Sequence, residues 1–230
     1  MKKVYVTLMA VLAIIAAFSF NSIRTSAKSL PKGAVFTGDE DNELFVFRVI
    51  KPYKGNKLGE VEVVGLNPNP SPYNEHSRRE MECLTLEAFD DEFGAPYEIV
   101  GIADNAFKDN TTIRSFYVVG AELRYIGKGA FEGCTNLREF STNRDKLTTI
   151  KERAFAGCKS LCRFAQDDNK IKKIGKDAFK DTGAVLKIDL FAGSKYAKKM
   201  QKLYKNAGAN RVVFKLYYYD KKKGYYRQRF

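Results

Sequence analysis

The sequence predicts a mainly β solenoid of about four 24-residue coils, with an N-terminal β-hairpin cap and a C-terminal helix plus β-hairpin. Three observations predict it. The pair Ala-Phe recurs at Ala106-Phe107, Ala130-Phe131, Ala154-Phe155 and Ala178-Phe179, 24 residues apart each time. Apolar residues hold fixed register around each pair. Ile99, Leu123, Leu147 and Ile171 stand eight before the Phe, and Ile102, Ile126, Ile150 and Ile174 five before. Ile113, Leu137, Leu161 and Val185 stand six after it, and Phe116, Phe140, Phe164 and Ile188 nine after. Finally, alternating β-branched and aromatic runs flank the array on both sides. A unit of this length cannot bury its own apolar side, so stacked neighbours bury it jointly.

In chain order, "MKKVYVTLMAVLAIIAAFSF" followed by "TSA" has the charged, apolar and small-residue order of a secretory signal peptide over residues 1–27. Whether this segment is cleaved after Ala27 or retained as an anchor stays open, since its apolar run is near the lower limit for a membrane span. Nothing after residue 30 is long and apolar enough to cross a bilayer. The expectation is an exported protein, secreted or at the cell surface.

Residues 28–83 read as an N-terminal cap. "ELFVFRVI" (Glu43 to Ile50) and "GEVEVVGL" (Gly59 to Leu66) alternate as a β-hairpin does, and a terminal coil needs such a cover for its apolar core. The proline-rich "NPNPSPYNEHSRRE" is a surface excursion. Residues 84–192 form the solenoid, beginning with "LTLEAF" and "YEIVGI" as the strands of a degenerate first coil. Runs such as "LREFST" and "VLKIDLF" pair coil to coil as a parallel sheet with strands about 4.8 Å apart. "LRYI", "LTTI" and "IKKI" build a shorter second ladder. Asp109, Gly133, Gly157 and Asp181 share one turn column, residues suited to turns by their tolerance of left-handed backbone or by local hydrogen bonding. Residues 193–230 form a basic C-terminal cap. "GSKYAKKMQKLYKNAG" has Ser194 as N-cap, apolar residues at 196, 197, 200, 203, 204 and 207, and Gly208 as a stop. "RVVFKLYYYDKKKGYYRQRF" then gives two strands about a turn at Asp220 to Gly224.

The stretch "IGKGAFEGCTNLREF" (Ile126 to Phe140) nearly spells "IG..AF.GC..L..I". It resembles the repeat of BspA-like (Treponema-type) leucine-rich-repeat proteins, and the resemblance covers about Leu84 to Phe191. It implies a leucine-rich-repeat solenoid on a bacterial cell-surface or secreted protein, with adhesion and binding of host or matrix proteins as the associated role. The first and last copies depart from the pattern, with Asn110 and Thr182 where the middle pair has Cys134 and Cys158.

Catalytic chemistry finds little support in these residues. A nucleophilic cysteine needs a base, and the single histidine, His76, lies in the proline-rich loop remote from the repeats. The spacing of Cys83, Cys134, Cys158 and Cys162 fits no zinc pattern. "DDEF" and "QDDN" pair acids without an evident cleft, so solvated turns are favoured over a glycosidase site. "GDEDNE" lacks the calcium-loop spacing. No catalytic residue, cofactor or metal is therefore assigned. Stacking places Cys134 and Cys158 within disulfide reach, yet Asn110 and Thr182 share their column, which favours a small-residue slot over a bridge. The pairing of the cysteines is left open.

Binding is the stronger expectation. Ser115, Glu139, Arg163 and Lys187 form one outward column of the main sheet, and Tyr117, Ser141, Ala165 and Asp189 the next. From these, Ser115, Tyr117, Glu139, Arg163 and Lys187 are the candidate protein-binding residues. A four-stranded face covers roughly 300 Å², well short of the ~800 Å² per partner of a stable interface. The formal charge of +13 is unevenly spread. Residues 1–27 hold three basic residues and no acid, and residues 193–230 hold twelve basic residues against Asp220, leaving the body nearly neutral. Lys195, Lys198, Lys199, Lys202 and Lys205 are thus candidate anion-binding residues toward a cell-wall polymer, acidic glycan or membrane surface. A solvated helix face with lysines guarding a cap strand accounts for the same charges. No motif supports nucleic acid.

Overall fold

The computed structural model describes residues 29–38, 42–54, 57–69, 81–88, 97–143, 146–166, 170–183, 185–190, 194–220 and 225–229. The expected signal peptide, the acidic residues 39–41, the loop 70–80 with His76, and the acids at 90–93 and 167–168 lie outside these residues.

Two seven-stranded sheets enclose a phenylalanine-rich core. The expected hairpin is present as β2 (Phe45–Lys51) and β3 (Gly59–Leu66), paired antiparallel. A third strand, β1 (Val35–Thr37), joins β2 and was not expected from the sequence. Phe45, Phe47 and Val49 point inward and are buried, while Arg48 between them reaches the surface, so the alternation does select one face. β3 then pairs in parallel with β5 (Tyr97–Ile102). From β5 the short ladder continues through β7 (Tyr125–Ile126), β9 (Thr149–Ile150) and β11 (Lys173–Ile174). The N-terminal hairpin is thereby hydrogen-bonded into the second sheet.

The main sheet starts at β4 (Cys83–Glu87) and runs through β6 (Ser115–Val119), β8 (Glu139–Thr142), β10 (Arg163–Gln166) and β12 (Leu186–Leu190), all parallel. Its register places Phe116, Phe140, Phe164 and Ile188 side by side, as the 24-residue period requires. The C-terminal segment extends this sheet: after helix α1 (Ser194–Asn206), β13 (Val212–Asp220) pairs in parallel with β12, and β14 (Tyr225–Arg229) returns antiparallel to β13. The expected four-stranded face is therefore a seven-stranded one.

At each corner the Phe amide donates to the Ala carbonyl of the next coil: Phe107 to Ala130, Phe131 to Ala154 and Phe155 to Ala178, at 2.7, 2.7 and 2.8 Å. Phe179 has no following coil, and donates instead to the carbonyl of Ala207 just beyond α1, at 2.9 Å. The helix thus delivers its C-terminal end to the corner slot that a further Ala-Phe pair would occupy. Met200 and Tyr204 on its inner face are fully buried. The turn column has φ of 59° at Asp109, 75° at Gly133, 73° at Gly157 and 55° at Asp181, the left-handed region where Gly and Asp are tolerated.

Two interleaved aromatic columns fill the interior. Phe107, Phe131, Phe155 and Phe179 stack with centroids 5.1 to 5.2 Å apart. Phe116, Phe140 and Phe164 stack alongside at 5.8 and 5.3 Å and meet the first column edge to face. Phe45 closes the columns at the hairpin end and Tyr204 at the helix end, so each cap contributes a ring to them.

Candidate binding surfaces

The outward residues of the main sheet form a connected polar stripe. Register places Ser115, Glu139, Arg163 and Lys187 on successive strands in one row, as expected, with Val213 of β13 next. Arg163 lies between two acids. It ion-pairs with Glu139, and its Nε and Nη2 donate to Asp189 Oδ2 at 3.2 and 2.9 Å. The Asp189 hydrogen bond is the main influence holding the guanidinium pKa above its ordinary value. Tyr117 donates from its hydroxyl to Glu139 Oε2 at 3.5 Å, while Lys187 is exposed. The next outward column is not open throughout: Ala165 and Asp189 are buried. Tyr117, Glu139, Arg163 and Lys187 therefore present the accessible chemistry, with half-buried Ser115 at one end.

The short ladder carries a second network that links cap to coils. Glu62 of β3 is only 7% exposed. It ion-pairs with Arg48 and accepts from the Tyr125 hydroxyl at 2.6 Å. Burial first, and the Glu62 hydrogen bond second, push the Tyr125 phenol well above its ordinary pKa, so the hydroxyl stays a donor. Lys151 sits 5.2 Å over the Tyr125 ring and pairs with Asp104 at 3.0 Å. Arg124 meets Glu60 and Glu98 at 3.1 and 3.3 Å. Sequence inspection passed over this network, because Glu62 and Arg48 belong to the non-repeating hairpin and have no counterpart 24 residues away.

On α1, Lys198, Lys199, Lys202 and Lys205 are exposed on the face opposite Met200 and Tyr204. Lys195 is the second residue of the helix, and its side chain lies outside the described residues. The helix touches β11 and β13, which brings its lysines beside the last coil.

The cysteines are thiols, and the buried pair is chemically quiet. Cys134 Sγ donates to the Phe107 carbonyl and Cys158 Sγ to the Phe131 carbonyl, each at 3.0 Å. Burial pushes the Cys134 thiol up to about 12 and that of Cys158 well above its ordinary value, so neither supplies a thiolate nucleophile. Asn110 and Thr182 also hydrogen-bond to backbone from this column, Asn110 by accepting from the amides of Thr112 and Ile113 and Thr182 by donating to the Phe179 carbonyl. The slot selects small polar side chains. Cys83 and Cys162 are exposed.

A family model for the BspA type leucine rich repeat region matches residues 91–206 in six copies. The chain belongs to this family. In this BspA-type chain the matched region includes the four 24-residue copies and reaches the end of α1. Two solved structures are similar to it. A leucine-rich repeat protein from Bacteroides capillosus is 17% identical, with 64% of this chain and 96% of that chain covered and a TM-score of 0.38. The T. pallidum leucine-rich repeat protein is 16% identical, with 67% and 92% covered and a TM-score of 0.34. No curated protein matches the chain. BspA-type repeats are in general non-enzymatic modules, a class that points to protein binding.

Proposed function

We propose that this BspA-type protein is a non-enzymatic adhesion module, secreted or held at the cell surface, whose main-sheet face engages a host or matrix protein. The observation that carries the reading is the stripe of Tyr117, Glu139, Arg163 and Lys187 on a rigid parallel sheet. Seven strands give a face of about 550 Å², nearly twice what four provide. That still falls short of the ~800 Å² per partner of a stable interface, so neighbouring loops or a second copy complete the contact. Arg163 is a poor probe, since its removal strands the buried Asp189 carboxylate. Replacing Tyr117→Ala together with Lys187→Ala leaves those ion pairs intact. The double variant should lose about tenfold or more in capture by host or matrix protein, the size expected when a central aromatic contact is truncated. Capture equal to the parent protein would exclude this face.

A second reading is retention on an anionic wall polymer through the basic C-terminal region, favoured by the exposed Lys198, Lys199, Lys202 and Lys205. Fractionation at rising ionic strength separates the two. Retention by these lysines should be lost as salt shortens the screening length from about 10 Å at 0.1 M to about 3 Å at 1 M. Salt-insensitive retention would exclude it.

A further inference from the structure

A cleft of ≈ 390 Å³ opens beside the short ladder, away from the main-sheet face. The 24-residue period sets Asp104, Lys128, Glu152 and Lys176 in one column along its wall, so the sign of charge alternates from coil to coil. The first three are mutually satisfied. Asp104 Oδ1 accepts from the Lys128 amide at 2.8 Å and from Lys151 Nζ at 3.0 Å, while Lys128 Nζ pairs with Glu152 at 3.3 Å. Burial tends to raise the Asp104 pKa, but the Lys151 and Lys128 contacts outweigh it and keep the carboxylate ionised.

Lys176 ends the alternation, because no further coil follows to supply the next acid. Helix α1 takes that place, and its last turn brings Lys205 rather than a carboxylate. Lys173 follows Tyr125 and Thr149 in the neighbouring column. Both lysines are exposed, and among the described residues neither forms an ion pair. The wall thus holds two uncompensated ammonium groups, and the half-buried Ile174 and Thr149 also line it. The volume falls within the ~300–1,000 Å³ of small-molecule sites and exceeds what a bare anion fills. The Asp104 and Glu152 carboxylates can accept from ligand hydroxyls.

We propose that this cleft binds an anionic saccharide, a sugar ring bearing a carboxylate or phosphate, with Lys173 and Lys176 on the anion and Ile174 against the ring. The site is independent of the main-sheet reading. The test titrates the full chain by calorimetry with glucuronate, the anion of host acidic glycans, and with glucose 6-phosphate, representing phosphate-bearing wall polymers. Glucose is the neutral control. Saturable binding of at least one anionic sugar is expected, and the preferred arm identifies the source. Replacing Lys173→Gln with Lys176→Gln should weaken binding about tenfold or more, as loss of charged hydrogen bonds does. Replacing Lys54→Gln with Lys57→Gln removes the same net charge from the exposed turn of the N-terminal hairpin, outside the cleft lining, and should change binding less than about twofold, since those groups are screened by solvent. Failure of both anionic sugars to saturate, equal binding of glucose, or equal losses in the two double variants would overturn the proposal.

Discussion

Phe140→Ala should cost about 3–5 kcal/mol of stability, a large share of the ~5–15 kcal/mol typical of a domain. The ring is fully buried and has four aromatic neighbours, Phe116, Phe131, Phe155 and Phe164, with centroids at 5.3 to 5.8 Å. These belong to three successive coils, each pinned by its own ladder hydrogen bonds, so the wall cannot close on the cavity. Nearest-neighbour coupling in a repeat array means that both interfaces of the central coil weaken together. Phe214→Ala, at the half-buried outer end of the same column, should cost less because part of that ring is already in water. Denaturant unfolding monitored by circular dichroism measures both. A Phe140→Ala loss below about 1 kcal/mol would contradict a close-packed aromatic column.

Gly101→Ala should be the next most damaging change, at about 1–3 kcal/mol, the range for overpacking a filled site. Gly101 of β5 is the register partner of Tyr125 on β7. A Cβ there would clash with Cζ and both Cε atoms of the Tyr125 ring, which is fixed by its hydroxyl on Glu62 and by Lys151 above. Moving the ring breaks a hydrogen bond to a buried carboxylate as well as its packing. The claim is specific to one partner, so a double-mutant cycle tests it. In a Tyr125→Ala background the added methyl should cost less than about 0.5 kcal/mol. The same penalty in both backgrounds would mean that the ring is not what excludes the side chain.

The architecture was readable because it repeats. Equivalent positions in successive coils lie 24 apart and pair in register, so Phe116, Phe140 and Phe164 announce themselves by their interval in the sequence. The turn column at Asp109, Gly133, Gly157 and Asp181 was legible for the same reason, and the left-handed φ values agree with it. Outward columns on the main sheet were also placed correctly, since the pleat fixes their parity. Their accessibility was not: Asp189 looks like a surface acid in sequence, but it is buried against Arg163.

Local pattern likewise indicated the terminal strands and the helix, whereas where they dock is a tertiary matter. β3 joins β5 in the second sheet, β13 joins β12 in the main one, and Ala207 accepts the hydrogen bond left over from Phe179. These junctions double as the places where unusual chemistry collects, with Glu62 and Tyr125 at one end and, at the other, Lys173 and Lys176, which form no ion pair among the described residues. By itself the sequence determined the coil, its period and the residues that stack within it. Only the tertiary structure decided how the non-repeating ends close the array, because their contacts are each made once and leave no interval to read. That closure sets which charges find partners, and it leaves a lysine-lined cleft where the alternation of acids and bases stops.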